Sequence, residues 1–243
     1  MSEENVEAKP SRFRWKKLWP VVVLAAGAVA FFAFGINDYV TLDALKENRA
    51  ALQTLVAENV FLAAAVYIAI YTLMVAFSVP GALIATLTGG FLFGTIFGGL
   101  YTVVGATIGA TIVFLAAKTA LGDALRAKVG PGIRKMEEGF RQNAFSYLMV
   151  LRLVPLFPFF LVNLAPAFLG VPLRTYVIAT FFGIIPGTFV FASVGNGLGA
   201  VFDAGDDPNL GIIFQPEILG PILGLAALSL VPVLYRHFSK KQS

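Results

Sequence analysis

From Val60 to Ala117 no residue carries a charge, and the stretches 18–36, 175–202 and 218–235 are uncharged as well. A helix of about 20 apolar residues crosses a hydrocarbon core of about 30 Å, so these runs are long enough to span a membrane. A soluble domain of this length could not hide them. Its core is limited by surface-to-volume scaling, and 58% of the 243 residues are hydrophobic against 13% charged, with mean hydropathy +0.80. Gly, Ala, Phe and Thr are mixed through the runs, which suits membrane helices that pack closely. The expected fold class is an all-α integral membrane protein.

With no cysteine, disulfides, thiolate catalysis and Cys-ligated metals are excluded. The sequence pI near 9.4 reports loop charge and reads as topology rather than nucleic-acid binding. The first apolar run, Leu18 to Ile36, follows Arg12, Arg14, Lys16 and Lys17. A cleaved signal peptide begins the same way, and Ala28-Val29-Ala30 resembles a cleavage site. The run continues through Phe31, Phe32 and Phe34, longer than a signal core, which favours an uncleaved span.

Charge distribution orients the chain. Residues 1–17 form a basic cytoplasmic tail, residues 18–236 the membrane domain, and 237–243 a second cytoplasmic tail. Asn37 to Asn59 carries Asp38, Asp43, Glu47 and Glu58 and is expected outside. Its Leu42, Leu45, Leu52, Leu55 and Val56 mark an amphipathic interfacial helix. Lys118 to Arg141 is basic and expected inside, whereas the acidic loop with Asp203, Asp206, Asp207 and Glu217 is expected outside.

These sides require an odd number of crossings between Asn59 and Lys118, although the length accommodates two helices. One full span, Ile96 to Ala117, preceded by a re-entrant hairpin turning near Ser78-Val79-Pro80-Gly81, meets the requirement. Pro lacks a helical N–H and Gly permits reversal. The pattern recurs. Pro155, Pro158 and Pro166 interrupt Asn143 to Gly170, and the span Leu173 to Val194 follows. Leu73 to Pro80 aligns with Leu148 to Pro155, Gly94 with Gly170, and Tyr101 with Tyr176. The charge-derived topology gives the copies, about 60–117 and 143–195, opposite orientations. The expectation is four transmembrane helices, the last from Ile218 to Tyr235, plus two opposed re-entrant hairpins in an inverted repeat, a plan of transporters.

Irregular backbone at membrane depth must face protein or a watery cavity. Pro80, Gly81, Pro155 and Pro158 therefore mark turns expected near a substrate path, with inward helix N-termini suited to an anion. Arg152 is the charged residue deep in an apolar run, at a cost of roughly 2.5–3.5 kcal/mol at mid-membrane. It either bonds hairpin carbonyls or binds a phosphate or carboxylate; the apolar segments offer it no acid. Asn163 reads first as a bond to neighbouring backbone, and second as a substrate contact. Ser78, Thr86 and Thr88 read as structural, and the GxxxG spacings Gly94/Gly98 and Gly105/Gly109 as close-packing surfaces. Gly183, Pro186 and Gly187 are expected to kink their span. His237 reads as interfacial. No nucleophile–base pair, metal-ligand cluster or phosphate loop stands out, so neither an enzyme nor a cofactor is expected.

The run LRLVPLFPFFLVNLAPAFLGV, Leu151 to Val171, resembles the R-x-x-P-x-x-P…N…G signature of the DedA superfamily, the VTT-domain or SNARE-associated Golgi protein family. VPGALIATLTGGFLFGTIFGG, Val79 to Gly99, resembles its first block, and the likeness covers about 61–199. The resemblance implies opposed re-entrant hairpins, a functional hairpin arginine at Arg152, and lipid substrates. These are polyprenyl phosphates at the bacterial inner membrane and phospholipids in eukaryotic scramblases. The sequence departs from DedA members in having no acid between Ile70 and Ala82 and Pro158 near the place of a second hairpin arginine. It is closer to the less polar, trafficking-related branch, and proton coupling through hairpin carboxylates is not implied.

The expected function is a flippase or scramblase for a phosphate-headed lipid, with membrane lipids as partners and no nucleic acid. A carrier of a small soluble anion or other solute, or a membrane scaffold without a transport cycle, are the alternatives.

Overall fold

The computed structural model describes residues 18–128, 143–154, 159–204 and 210–239, and among these the chain is helical with no strand. Helix α1, Trp19–Ala33, has Pro20 in its first turn, where the missing N–H costs nothing. It stops short of the expected Ile36 because Gly35 adopts a left-handed φ of 66° and a 3-10 turn, Ile36–Tyr39, follows. Helix α2, Leu42–Glu58, starts at Thr41, whose hydroxyl accepts from Ala44 N–H at 3.1 Å. Helix α3, Val60–Ala76, starts at Asn59, whose Oδ1 accepts from Leu62 N–H at 3.0 Å. Both are side-chain N-caps.

The chain reverses through Ser78 (φ 53°) and Gly81 (φ 115°) into α4, Ala82–Lys128. This helix is broken at Gly94 (φ 75°, ψ 173°), a conformation available to glycine alone. Its two limbs, 82–93 and 95–128, fold back on each other. A Cβ at Gly98 would overlap the Gly89 carbonyl, and the Phe93 and Tyr101 rings meet edge-to-face at 5.3 Å. The second limb runs on past Ala117 to Lys128, so the start of the basic segment is helical.

Hydrogen bonds give the limb directions. The Tyr67 hydroxyl reaches the Ala85 carbonyl (2.9 Å) and the Tyr71 hydroxyl reaches Ala82 (3.3 Å), so α3 and 82–93 are antiparallel. Gly105 meets the Ile68 carbonyl at 3.1 Å and Gly109 the Thr72 carbonyl at 2.6 Å, as measured to an added Cβ, so α3 and 95–128 are parallel. The GxxxG glycines thus permit backbone contact between α3 and α4.

The second half comprises α5, Ala144–Leu153, α6, Phe159–Phe168, and α7, Leu173–Asn196. Gly170, between α6 and α7, has φ 69°, close to Gly94 at the matching joint. Helix α7 continues unbroken across Gly183, Pro186 and Gly187. Then come α8, Leu198–Ala204, a 3-10 turn, Leu210–Phe214, and α9, Pro216–Ser239. Helix α9 packs Ile222 and Ala226 against Leu153 and Ile213.

The halves meet in a core containing Tyr67, Tyr71, Val75, Phe114, Leu148 and Tyr176. Limb 82–93 lies backbone to backbone on the end of α7: a Cβ at Gly90 would overlap the Ala192 carbonyl, and one at Gly195 the Leu87 carbonyl. Above this seam Leu45 packs on Leu87, Leu198 and Phe202. Arg49 pairs with Asp203 at 2.8 Å, and Lys46 sits 5.6 Å above the Phe202 ring. Helices α2 and α8 therefore share one end of the molecule, as their charge pattern requires. Arg12, Arg14, Lys16, Lys17, Arg134, Lys135, Arg141, Asp206, Asp207, Lys240 and Lys241 lie outside the described residues.

Two helical stretches, Ala82–Ala120 and Leu173–Asn196, are long and apolar enough to cross a membrane, while Trp19–Ala33, Val60–Ala76, Ala144–Leu153 and Pro216–Val231 are shorter apolar helices. Phe61, Leu62, Val66, Ile70 and Leu73 on α3 are exposed, as are Leu223, Leu225 and Leu228 on α9. A soluble surface seldom exposes apolar patches on this scale; a lipid-facing one does.

Candidate functional site

Arg152 occupies the last turn of α5, on a helix face that buries Leu148 and Leu153. Gly183 makes room for it, since a Cβ there would lie 2.6 Å from Arg152 Cβ. The guanidinium donates through Nη2 to the Tyr176 hydroxyl (2.9 Å) and the Thr180 hydroxyl (3.0 Å), and stands 5.4 Å from the Tyr176 ring centre. Among the described residues its partners are hydroxyls of α7, which form an interhelical tie because Tyr176 and Thr180, one turn apart, face the same side. The carbonyls of its own hairpin turn, 155–158, lie outside the described residues.

Asn163 is fully buried on α6. Its Oδ1 accepts from the Tyr176 hydroxyl at 3.1 Å, rather than bonding neighbouring backbone. The same hydroxyl lies 3.3 Å from the Ala110 carbonyl of α4, and the Tyr176 ring stacks on Phe114 at 4.3 Å. Tyr176 thus joins four helices: α4, α5, α6 and α7.

The cluster is rich in donors and short of acceptors. Arg152 Nε, Asn163 Nδ2 and Thr107 Oγ1 are buried without a hydrogen-bond partner among the described residues. Thr107 stands one turn before Ala110 on α4. An unpaired buried polar group costs about 1–3 kcal/mol, and more when charged. Among the described residues no salt bridge reaches Arg152, and no group of acidic or histidine side chains is arranged to hold a metal. An anion or water with acceptor oxygens would complete such a site.

The structure brings Arg152 and Asn163 together through Tyr176. Pro155 and Pro158 lie outside the described residues. Pro80 and Gly81 sit at the other hairpin's turn, where Gly81 packs against Val40 and Met74. They are part of that turn, and the polar contacts of Arg152 run to α7 instead. In the first half Tyr67 bonds Thr102 (2.5 Å) and Tyr71 bonds Thr86 (3.0 Å), while Thr86 and Thr88 also donate to carbonyls of their own helix. Sequence reasoning missed Tyr176, Thr180, Tyr67 and Tyr71. Their signal was present: Tyr176, Thr180 and Gly183 form an i, i+4, i+7 stripe of polar and small residues within an apolar span.

Residues 79–197 match the VTT domain. The chain is 32% identical over 181 residues to the transmembrane protein 41 homolog of Dictyostelium discoideum, covering 73% of this chain and 52% of that protein. It is 25% identical over 180 residues to transmembrane protein 41B of Homo sapiens, covering 72% and 60%, and 25% identical to that of Gallus gallus, covering 72% and 64%. It thus spans between about half and two thirds of the length of these curated relatives. No solved structure matches. The domain match, the related transmembrane proteins and the lipid-facing apolar helices agree that this is a membrane protein of the VTT-domain family, also called the DedA or SNARE-associated Golgi protein family.

Proposed function

We propose that this protein moves a phosphate-headed lipid across the bilayer, as a flippase or scramblase, with the head group bound transiently at the Arg152 cluster. One observation carries the reading. Arg152 is half-buried with no acidic partner among the described residues, and its buried Nε and the Asn163 Nδ2 of the same cluster have no hydrogen-bond partner there. A cation with a free donor, linked through Tyr176 to a second free donor, supports binding of phosphate oxygens.

In this proposal α3 with limb 82–93, and α5 with α6, are re-entrant hairpins. Limb 95–128 and α7 are full spans, and α1 and α9 complete four crossings with both termini cytoplasmic. The antiparallel first hairpin, the left-handed glycines at Gly94 and Gly170, and the Arg49–Asp203 pair support it. The absence of an acid in the apolar helices favours downhill movement.

Head-group flipping in proteoliposomes, with labelled phospholipid and a polyprenyl phosphate, tests the reading. Wild type is expected to flip and Arg152→Ala to fall to the protein-free rate while remaining folded. Arg152→Lys, which keeps charge but loses the planar fork, should retain part of the rate. Full flipping by Arg152→Ala would overturn the assignment. Transport of a soluble anion independent of lipid head group would point to a solute carrier.

A further inference from the structure

A cavity of about 530 Å³ separates α2 from the first hairpin. Its walls include Leu52 and Val56 of α2, Val66 and Ile70 of α3, and Ile84 and Leu92 of α4. It lies in the opposite half of the molecule from the Arg152 cluster and shares none of that cluster's residues. Few polar groups reach it. The Tyr67 hydroxyl on its wall is already satisfied by Ala85 and Thr102, so bound water would find few partners there.

Two features identify an occupant. Leu62, Val66 and Ile70 line the cavity and are also 61%, 48% and 53% exposed. The cavity is therefore continuous with the lipid-facing side of α3, and hydrocarbon can enter sideways. Glu58, at the junction of α2 and α3, is the charged residue among those lining it, and no basic residue accompanies it. This polarity is the reverse of that at Arg152. A carboxylate at the mouth favours an ammonium and disfavours a purely anionic head group.

We propose that this cleft binds one acyl chain of a membrane lipid with an amine-bearing head group, the ammonium at Glu58 and the chain between α2 and the first hairpin. Apolar lining with a few polar groups at one end is the usual build of a ligand site of this volume. The proposal stands apart from the transport reading, since it uses none of the same residues.

The test is photolabelling of the reconstituted full chain with phosphatidylethanolamine carrying a diazirine on its chain. Phosphatidylglycerol and diacylglycerol with the same chain run in parallel, and adducts are located by peptide mass spectrometry. The amine lipid is expected to label the segments around Leu52, Val66 and Ile70 in preference to the others. Ala63→Trp, which fills the cavity from α3, should abolish that labelling and leave adducts on α9 unchanged. Glu58→Gln should reduce the preference for the amine lipid about threefold, as suits one exposed charge contact. Arg152→Ala should leave labelling intact, so failure here and failure of transport are told apart. Adducts spread evenly over all lipid-facing helices and insensitive to Ala63→Trp would overturn the site. Equal labelling by the three lipids would overturn the head-group assignment.

Discussion

The two hairpins are variations on one arrangement with different chemistry. In the first, Tyr67 and Tyr71 project from α3, and their hydroxyls are taken up by Thr102, Thr86 and the carbonyls of Ala85 and Ala82. Around the second, Tyr176 of the neighbouring α7 receives Arg152 from α5 while donating toward Asn163 of α6 or the Ala110 carbonyl. The first cluster is neutral and its hydroxyls are satisfied. The second contains a cation and leaves donors unpaired. Packing differs in the same direction. Limb 82–93 meets α7 backbone to backbone at Gly90 and Gly195. The side of α4 that faces Tyr176 is spaced by the Phe114 ring. In the proposed reading the first hairpin holds the fold and the second presents charge.

The largest test of this contrast is a pair of glycine substitutions. Gly90→Ala forces a Cβ against the Ala192 backbone, which cannot move aside, and should cost about 3 kcal/mol. Gly183→Ala would place a Cβ 2.6 Å from Arg152 Cβ and 3.5 Å from Met149 Sδ. It should cost about 2 kcal/mol, since Arg152 Cβ yields only with α5, while shifting the guanidinium and lowering flipping. Thermal unfolding in detergent, paired with the liposome assay, separates the two. If Gly183→Ala flipped normally, guanidinium position would not matter.

Next come the tyrosines. Tyr176→Phe strips Arg152 of one acceptor and leaves Asn163 Oδ1 unpaired, at a cost of about 2 kcal/mol with slower flipping. Tyr71→Phe leaves Thr86 bonded to the Ala82 carbonyl, so about 1 kcal/mol is expected, with flipping unchanged. Equal transport defects would mean that both clusters serve the pathway.

A smaller pair checks the repeat itself. Gly94→Ala and Gly170→Ala each place a side chain at positive φ and should destabilise by about 1–2 kcal/mol. A null effect at one joint alone would break the equivalence of the two halves. The smallest effect is expected at the exposed Arg49–Asp203 pair. Arg49→Ala should cost less than about 1 kcal/mol, and the difference should shrink further in high salt. Little change in transport is expected there.

Amino-acid sequence by itself determined that the chain belongs in a membrane, where its turns fall and which residue is the costly one. Apolar length, proline and glycine are local signals that act without tertiary help. Hence the reversal at Gly81, the starts of spans near Ile96 and Leu173 and the isolated charge of Arg152 were legible, whereas Gly94, read as a packing glycine, is also where α4 breaks. At Pro186 the helix assignment of α7 is continuous, with the proline inside it. Local reading did not reach the partners that Arg152 and Asn163 find on other helices. Arg152 finds its acceptors 24 and 28 residues away on another helix. Asn163 finds its own through a tyrosine that also touches α4. Such pairings depend on which helix faces which, and apolar sequence carries little of that information. In a bilayer every face is hydrophobic, so small-residue seams and buried hydroxyls, rather than a polar–apolar stripe, decide the packing. Tertiary structure alone therefore decided that Tyr176 is the hub, that its cluster lacks an acceptor, and that a cavity lies beneath α2.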